Sequence, residues 1–458
     1  MDERNIETIN NRPESGDACV NFINSKCIIL AVLVVALTLF SVTKITGYNQ
    51  SEQSVEDVYS VVFDAGSTGS RVFVFHFHYL IRGTNKYKVT LEKEVFQSVE
   101  PGISSYAHKL FEVSESLEPL LHKAVNSVPD SCKARTPVVF KATAGLRLLS
   151  KEKAENILQE VRRLLVQSPF HFPDPQQVIV MSGEEEGLFG WVSVNFLLDL
   201  IWSKQRDTVT TFDLGGGSTQ ITFEISVKEH LSDYDIEDLF KINFKDFPER
   251  FVFTKSYLTY GLKSARLAVL GGTEGQNSNI SYEQATQEKI LLQTPCLGVD
   301  QSFLFSHADL HYLVRGSNPD PNVLSQCQEK VIQFVRAGAL VQSQEVNKRE
   351  IHLFSYFFDV ARWSKLIPWN VDSQVLLVED FLSAAEKYCH RDRMSSKYPF
   401  LCIDLLYIHK LLSTGVGLPG NKELYVEKKI HGREVSWCLG AALSQDFFTV
   451  SSLAQRQV

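Results

Sequence analysis

Chemistry in this chain can concentrate at Asp64-Ala65-Gly66-Ser67-Thr68-Gly69-Ser70-Arg71 and at a near copy, Asp213-Leu214-Gly215-Gly216-Gly217-Ser218-Thr219-Gln220, each preceded by a phenylalanine, Phe63 and Phe212. Glycines let a backbone reach positive φ or approach an anion closely, and successive N–H groups with Ser/Thr hydroxyls form a concave nest for phosphate oxygens. The aspartate opening each copy can hold a hydrated divalent cation against those phosphates. One such turn is an ordinary hairpin; two matching copies imply two half-sites facing one polyphosphate. A third group is Ser182-Gly183-Glu184-Glu185-Glu186. Ser182 with Glu185 forms a capping box, and acids in a first helical turn gain from the helix dipole, which accounts for Glu184 and Glu185. Glu186 is left over as a candidate general base.

Strands must carry the two loops. Apolar, β-branched runs at 59–63 and 208–212 precede them and others at 72–77 and 221–223 follow, so each copy reads strand, turn, strand. Further strands are expected at 88–96, 136–142, 177–181 and 251–256, and helices at 108–125, 151–166, from 182 to about 202, 260–269, 375–389 and 401–412. The 136–142 strand delivers Thr143-Ala144-Gly145, small residues at the carboxyl edge where α/β sheets place ligands. Residues 351–358 read as a strand whose aromatic end, with Tyr356, could stack on a base or serve the core. Ser264 and Arg266, on the 260–269 helix, could reach the ligand or be structural. The doubled loop resembles the actin/Hsp70/sugar-kinase superfamily, which implies an α/β fold of two actin-like (ribonuclease H-like) lobes with a cleft between them. No Walker A sequence occurs, which disfavours a P-loop NTPase.

At 458 residues the chain can bury two cores. A net charge of −8 argues against nucleic acid as partner, because that would require a basic face. Residues 27–43 form an uncharged run between Lys26 and Lys44, roughly 26 Å long as a helix and near the minimum for a bilayer core. Without a polar face, and followed by a polar linker, it reads as one N-terminal transmembrane helix. It starts late and has no small-x-small site, unlike a cleaved signal peptide. Lys/Arg placement does not set its orientation. Beyond it lie Cys132, Cys296, Cys327, Cys389, Cys402 and Cys438. The pairs Cys296/Cys327 and Cys389/Cys402 would close modest loops, each stabilising by about 3 kcal/mol if oxidised, but spacing does not choose among fifteen pairings. Asn279-Ile280-Ser281 and Asn49-Gln50-Ser51 are glycosylation sequons. Both features favour a lumenal or extracellular domain on a type II anchor.

Five stretches, DAGSTGSR, KATAGLRLL, SGEEEGLFGW, FDLGGGSTQ and SWCLGAAL, resemble in type and order the conserved regions of the apyrase family of nucleoside tri- and diphosphate hydrolases, over about residues 55–443. The single anchor and the two cysteine pairs are most similar to the ER/Golgi or secreted nucleoside-diphosphatase subgroup. The resemblance implies that Glu186 is the base for an attacking water placed by Ser218 and Gln220, with Thr143 beside them. Asp64 and Asp213 would hold Ca²⁺ or Mg²⁺. Ser67, Thr68, Gly69, Gly216 and Gly217 would cradle phosphates, Arg71 would be the basic residue after the first loop, and Tyr356 would stack on the base. It implies a monomer with a nucleotide substrate such as UDP or GDP, attached to the Golgi or ER membrane through one helix or secreted after cleavage. The layout expected is a tail (1–26), anchor (27–45), linker (46–57), lobe I (58–183 with 434–453) and lobe II (184–433). Rivals are a broader apyrase, an exopolyphosphatase-like enzyme, a sugar kinase and a nucleotide-binding lobe pair without turnover.

Overall fold

The computed structural model describes residues 30, 32–38, 53–82, 85–203, 206–225, 228–244, 249–272, 290–307, 310–390 and 397–454. They group into two compact units, 1–55 with 80–86, and 56–79 with 87–458. Of the 27–43 run, residues 30 and 32–38 are helical with exposed side chains. Among the described residues no helix is long and apolar enough to cross a membrane. The rest of the expected anchor and both sequons, Asn49 and Asn279, lie outside the described residues.

The first sheet contains β1 (Gln53–Ala65), β2 (Ser70–Arg82), β3 (Asn85–Val99), β4 (Val138–Ala142) and β5 (Ile179–Val180), in the order β3-β2-β1-β4-β5. β4 runs parallel to β1 and sets Ala142 beside Ala65, so Thr143 emerges next to the first loop. Helices α1 (Phe111–Ser127), α2 (Ala144–Arg147) and α3 (Lys151–Val166) belong to this half. α3 forms where its periodicity dictates: Ser150 caps it through Lys153 N–H, and Ala154, Ile157, Leu158, Val161 and Leu165 are buried. They pack in one core with Phe63, Val72 and Phe140 of the sheet.

After α4 (Gly183–Leu197) come β6 (Thr210–Leu214), β7 (Ser218–Glu224), β8 (Leu239–Phe244), β9 (Arg250–Leu258) and α5 (Leu262–Val269). A separate three-stranded sheet follows, β10 (Ile290–Gly298), β11 (Ser302–His307) and β12 (Leu310–Asn318), then α6 (Leu324–Ala337). The chain continues through β13 (Ile351–Ser355), α7 (Tyr356–Trp363), β14 (Ser373–Leu377), α8 (Val378–Tyr388), α9 (Leu401–Lys410) and β15 (Glu423–Glu427). A short ribbon, β16 (Lys429–Ile430) and β17 (Arg433–Glu434), precedes α10 (Trp437–Leu443) and β18 (Phe448–Ser452). The second sheet has the order β14-β15-β13-β6-β7-β9-β8-β18. A third core joins the sheets, with Phe75 of β2 and Phe354 of β13 packed with Trp191 of α4 and Leu439 of α10. Disulfides link Cys296 to Cys327 and Cys389 to Cys402, while Cys132 and Cys438 are buried thiols.

Three expectations are corrected. The 351–358 strand ends at Ser355, whose φ is 60°, and Tyr356 starts a helix; a short apolar run does not distinguish strand from buried helix. The helix from 182 stops at Leu197, ahead of Asp199 at φ 57°. The 375–389 segment divides into the end of β14 and α8. Separately, β18 pairs antiparallel with β8 of the second sheet.

Candidate active site

Both loops are closed by the same backbone contact. Gly66 N–H donates to Gly69 O at 3.0 Å, and Gly215 N–H donates to Ser218 O at 3.0 Å. They face one another: a Cβ on Gly216 would lie 2.5 Å from Ser67 Oγ and 2.9 Å from Thr68 Cγ2. None of the five loop glycines has positive φ. Close approach, rather than left-handed backbone, is therefore what requires glycine here. Other segments press in behind, since a Cβ on Gly145 would meet Ser67 Cα at 2.7 Å and one on Gly261 would meet Ser218 N at 2.4 Å.

Glu186 is set by a glycine face of α4. Ser182 Oγ accepts Glu185 N–H at 3.1 Å, as the capping pattern predicts, and Glu185 lies 3.6 Å from Lys141 Nζ. Gly183, Gly187 and Gly190 lie four and three residues apart on one side. A Cβ there would fall 2.1 Å from Ser256 Oγ, 2.4 Å from Thr254 Oγ1 and 3.2 Å from Phe354 Cζ, respectively. The helix backbone thus lies directly on β7, β9 and β13, and Glu186 is carried into the interior. Its Oε2 accepts from Arg147 Nη2 and, at 3.3 Å, from Gln220 Nε2. Gln220 Nε2 is also 2.8 Å from Ser218 Oγ and 2.9 Å from Ser256 Oγ, and Arg147 Nη1 is 3.3 Å from the same Ser256 oxygen.

The aspartates complete the group. Arg71 Nη1 donates to Asp64 Oδ2 at 2.9 Å. Asp64 Oδ1 and Asp213 Oδ1 are buried with no hydrogen-bond partner among the described residues. Burial pushes the Asp64 carboxyl upward, although Arg71 opposes it. Burial, reinforced by Asp64, pushes Asp213 up to about 6 against the Ser355 hydroxyl. Glu186 is pushed up to about 8, by burial first and then by Asp213 and Asp64, with Arg147 opposing. Three buried carboxyl groups, with Asp64 raising the other two and Asp213 raising Glu186, and two of them with orphaned acceptor oxygens, fit a hard divalent cation.

Asp64, Ser67, Thr68, Arg71, Thr143, Glu186, Asp213, Gly216, Ser218 and Tyr356 line one cavity of ≈ 360 Å³, together with Ser355, Trp363, Lys428 and Trp437. Gly69, Gly217 and Gln220 do not line it. The first two support the loops: a Cβ on Gly69 would lie 2.9 Å from Val99 O, and one on Gly217 would lie 3.0 Å from Ala144 Cβ. Gln220 sits behind Glu186 and reaches it by its amide. The Tyr356 ring meets Trp363 edge-on with centroids 6.1 Å apart, and its hydroxyl is bonded to Thr68. Arg266 is taken by Asp404 at 3.0 and 2.7 Å and packs on Phe305 and Phe400, a structural role. Arg147 and Ser355 escaped the sequence reading. Arg147 stood inside the KATAGLRLL stretch, but its partner lies 39 residues away.

Paired strand–loop–strand units facing one cavity, each beginning with a buried aspartate, define a two-lobed, actin-like α/β fold of the phosphate-handling kind. The chain belongs to the GDA1/CD39 (nucleoside phosphatase) family, whose model matches residues 50–455. It is similar to chicken (Gallus gallus) ectonucleoside triphosphate diphosphohydrolase 5, 38% identical over 84% of this chain and 86% of that one. The human nucleoside diphosphate phosphatase ENTPD5 is 36% identical over 85% of this chain and 87% of its own, and human ectonucleoside triphosphate diphosphohydrolase 6 is 36% identical over 84% and 76%. A solved nucleoside triphosphate hydrolase from Neospora caninum shares the fold at a TM-score of 0.57 and 14% identity, covering 90% of this chain and 96% of that one.

Proposed function

We propose that the protein hydrolyses the terminal phosphate of nucleoside diphosphates, releasing monophosphate and inorganic phosphate by direct attack of water. Family membership and the diphosphate phosphatase name of a relative support the reaction class. The observation that carries the mechanism is the meeting of Glu186 with the orphaned oxygens of Asp64 and Asp213 in a cavity lined by both loops.

In this reading the phosphates lie between Ser67-Thr68 and Gly216, with Arg71 facing them and Gly69 and Gly217 supporting the loops from behind. Asp64 and Asp213 would hold Ca²⁺ or Mg²⁺, which when bound neutralises phosphate charge that would repel a nucleophile. Ser218 and Thr143 place the water, and Gln220 acts through Glu186 and Ser218. Glu186 takes a water proton as the oxygen attacks phosphorus and the anhydride bond to the leaving monophosphate breaks. A base works best with a pKa near the working pH, a condition that the elevated Glu186 meets. Tyr356, beside Trp363, would contact the base.

The two disulfides support an oxidising compartment. With the apolar 27–43 run they fit a type II anchor and a lumenal catalytic domain in the ER or Golgi, or a secreted form after cleavage. Within the catalytic part we assign 58–183 to lobe I and most of 184–433 to lobe II. The test is phosphate release from UDP, GDP, ATP and polyphosphate, with and without EDTA. Diphosphates should lead and EDTA should stop turnover. Equal rates on ATP would shift the reading to a broader apyrase, and binding without release would indicate a non-hydrolytic nucleotide-binding protein.

A further inference from the structure

A second cluster of ligand-type side chains stands on the strands of the first sheet, apart from the cavity. Asp57 on β1 and His76 and His78 on β2 present Oδ1, Nε2 and Nε2, with ligand atoms all within 4.8 Å of one another. His76 Nε2 lies 2.7 Å and His78 Nε2 3.0 Å from the same Asp57 oxygen. The other nitrogen of His78, Nδ1, lies 3.0 Å from Glu92 Oε1 on β3. Thr90 Oγ1 donates to that Glu92 oxygen at 3.3 Å, and the His76 ring is stacked on Tyr59 at 4.4 Å, so both partners are oriented.

His78 therefore has a carboxylate oxygen on each side. A neutral imidazole carries a single N–H, so it can donate to one of them only and would turn a lone pair toward the other. Binding a cation at that lone pair removes the conflict. The arrangement is the one that metal-bound histidines show, with one nitrogen on the metal and the other donating to a carboxylate that fixes the tautomer. Two imidazoles and one carboxylate suit zinc and its neighbours in the transition series, whereas Ca²⁺ and Mg²⁺ prefer oxygen ligands. At zinc–ligand bonds of about 2.0–2.1 Å, tetrahedral ligands stand about 3.3 Å apart. The present 2.7 and 3.0 Å contacts need open by only a few tenths of an ångström.

We propose that Asp57, His76 and His78 form a zinc-class metal site, with Glu92 as the positioning residue for His78 and a fourth position left to solvent. It ties β1 to β2, and through Glu92 to β3, at a place that none of the proposed catalytic residues occupies.

The test uses the full chain in detergent, stripped with EDTA and then equilibrated with ZnCl₂ under excess Mg²⁺ to occupy the carboxylates of the cavity. Elemental analysis should find about one zinc per chain in the wild type, the stoichiometry of a single site, and none beyond background in H76Q/H78Q. Mg²⁺-dependent phosphate release should be the same in both and serves as the folding control. Glu92→Gln should weaken zinc binding about 10–100-fold, as losses of a carboxylate partner do, and it provides the readout if the double variant misfolds. Cobalt in place of zinc should give visible ligand-field bands in the wild type that H76Q/H78Q lacks. Equal zinc in wild type and double variant, no zinc in the wild type, or unchanged affinity in E92Q would each overturn the site and leave a hydrogen-bonded His–Asp–His cluster in its place.

Discussion

The two phosphate loops are near copies in sequence, yet position for position their side chains do different things. Arg71 and Gln220 each stand seven residues after their aspartate. Arg71 turns back onto Asp64 at 2.9 Å. Gln220, although it is the cross-strand partner of Asp213, leaves that aspartate and donates to Glu186 and Ser218. Asp213 is left with the Ser355 hydroxyl for hydrogen bonding, and its carboxyl is pushed up to about 6. The first loop thus carries its own cation, while the second holds Glu186, the proposed base. A duplicated backbone has kept its shape and divided the chemistry between its halves.

The largest expected effect tests whether that division ends at Glu186. Glu186→Gln keeps the hydrogen-bonding shape and removes the base, so kcat should fall by about 10²–10⁴-fold, the range for general-base loss, with nucleotide affinity retained. A variant within a few-fold of wild type would break the assignment. Next, the equivalent truncations should separate. Arg71→Ala should raise KM and lower the thermal midpoint, because Asp64 loses the cation that offsets its burial. Gln220→Ala should lower kcat by about tenfold, the cost of roughly one hydrogen bond to a charged group, with KM nearly unchanged. If the two variants show the same kinetic signature, the loops are functionally symmetric and the comparison fails.

A smaller effect is expected from spacing alone. Neither Gly215 nor Gly216 has positive φ, so alanine there is decided by room. On Gly216 the new carbon would meet Ser67 Oγ at 2.5 Å, whereas on Gly215 its nearest neighbour is Ser218 O at 3.2 Å. Gly216→Ala should therefore part the loops and raise KM by about tenfold or more, on the scale of misplacing a bound group by an ångström. Gly215→Ala should be milder. Equal KM values would show that the facing loops do not share one ligand.

What was legible from the chain alone was local. The strand–turn–strand pattern, the Ser182 cap and the full extent of α3 follow from propensity and period, and each is present. Glu186 was singled out by subtracting what helix capping explains, and it is one of ten among the thirteen expected site residues that line the cavity. Hidden features depend on distant partners or on a backbone that departs from its local pattern. Arg147 acquires meaning only when α4 lies on the second sheet. Ser355 adopts φ 60° in the middle of an apolar run, and that turn both starts α7 at Tyr356 and sets a hydroxyl by Asp213. A strained non-glycine residue at such a point is characteristic of functional sites. β18 pairs with β8 across the long intervening chain, which no periodicity of residues 448–452 encodes.

The gentlest test is pH. Without cation, the folded protein keeps a proton on Glu186 up to about 8 and on Asp213 up to about 6, while an unfolded chain releases both near pH 4. The folded state then binds more protons across that window, so stability must fall as pH rises through it. The metal-free thermal midpoint should decline between about pH 5 and pH 8, and Glu186→Gln should flatten the upper part of the slope. Ca²⁺ or Mg²⁺ favours the ionised carboxylates, so its stabilising effect should be greater at the alkaline end than at the acidic end. Turnover has the opposite sign, because the proposed base works only when ionised: it should climb with pH through the Glu186 titration, at a midpoint that the cation pulls below the metal-free value. Asp213→Asn removes one of the negative charges that raise Glu186, whereas Arg147→Gln removes the positive charge that lowers it. The metal-free stability profiles of these two variants should therefore move in opposite directions along the pH axis, and no movement in either would mean that burial alone sets the Glu186 titration.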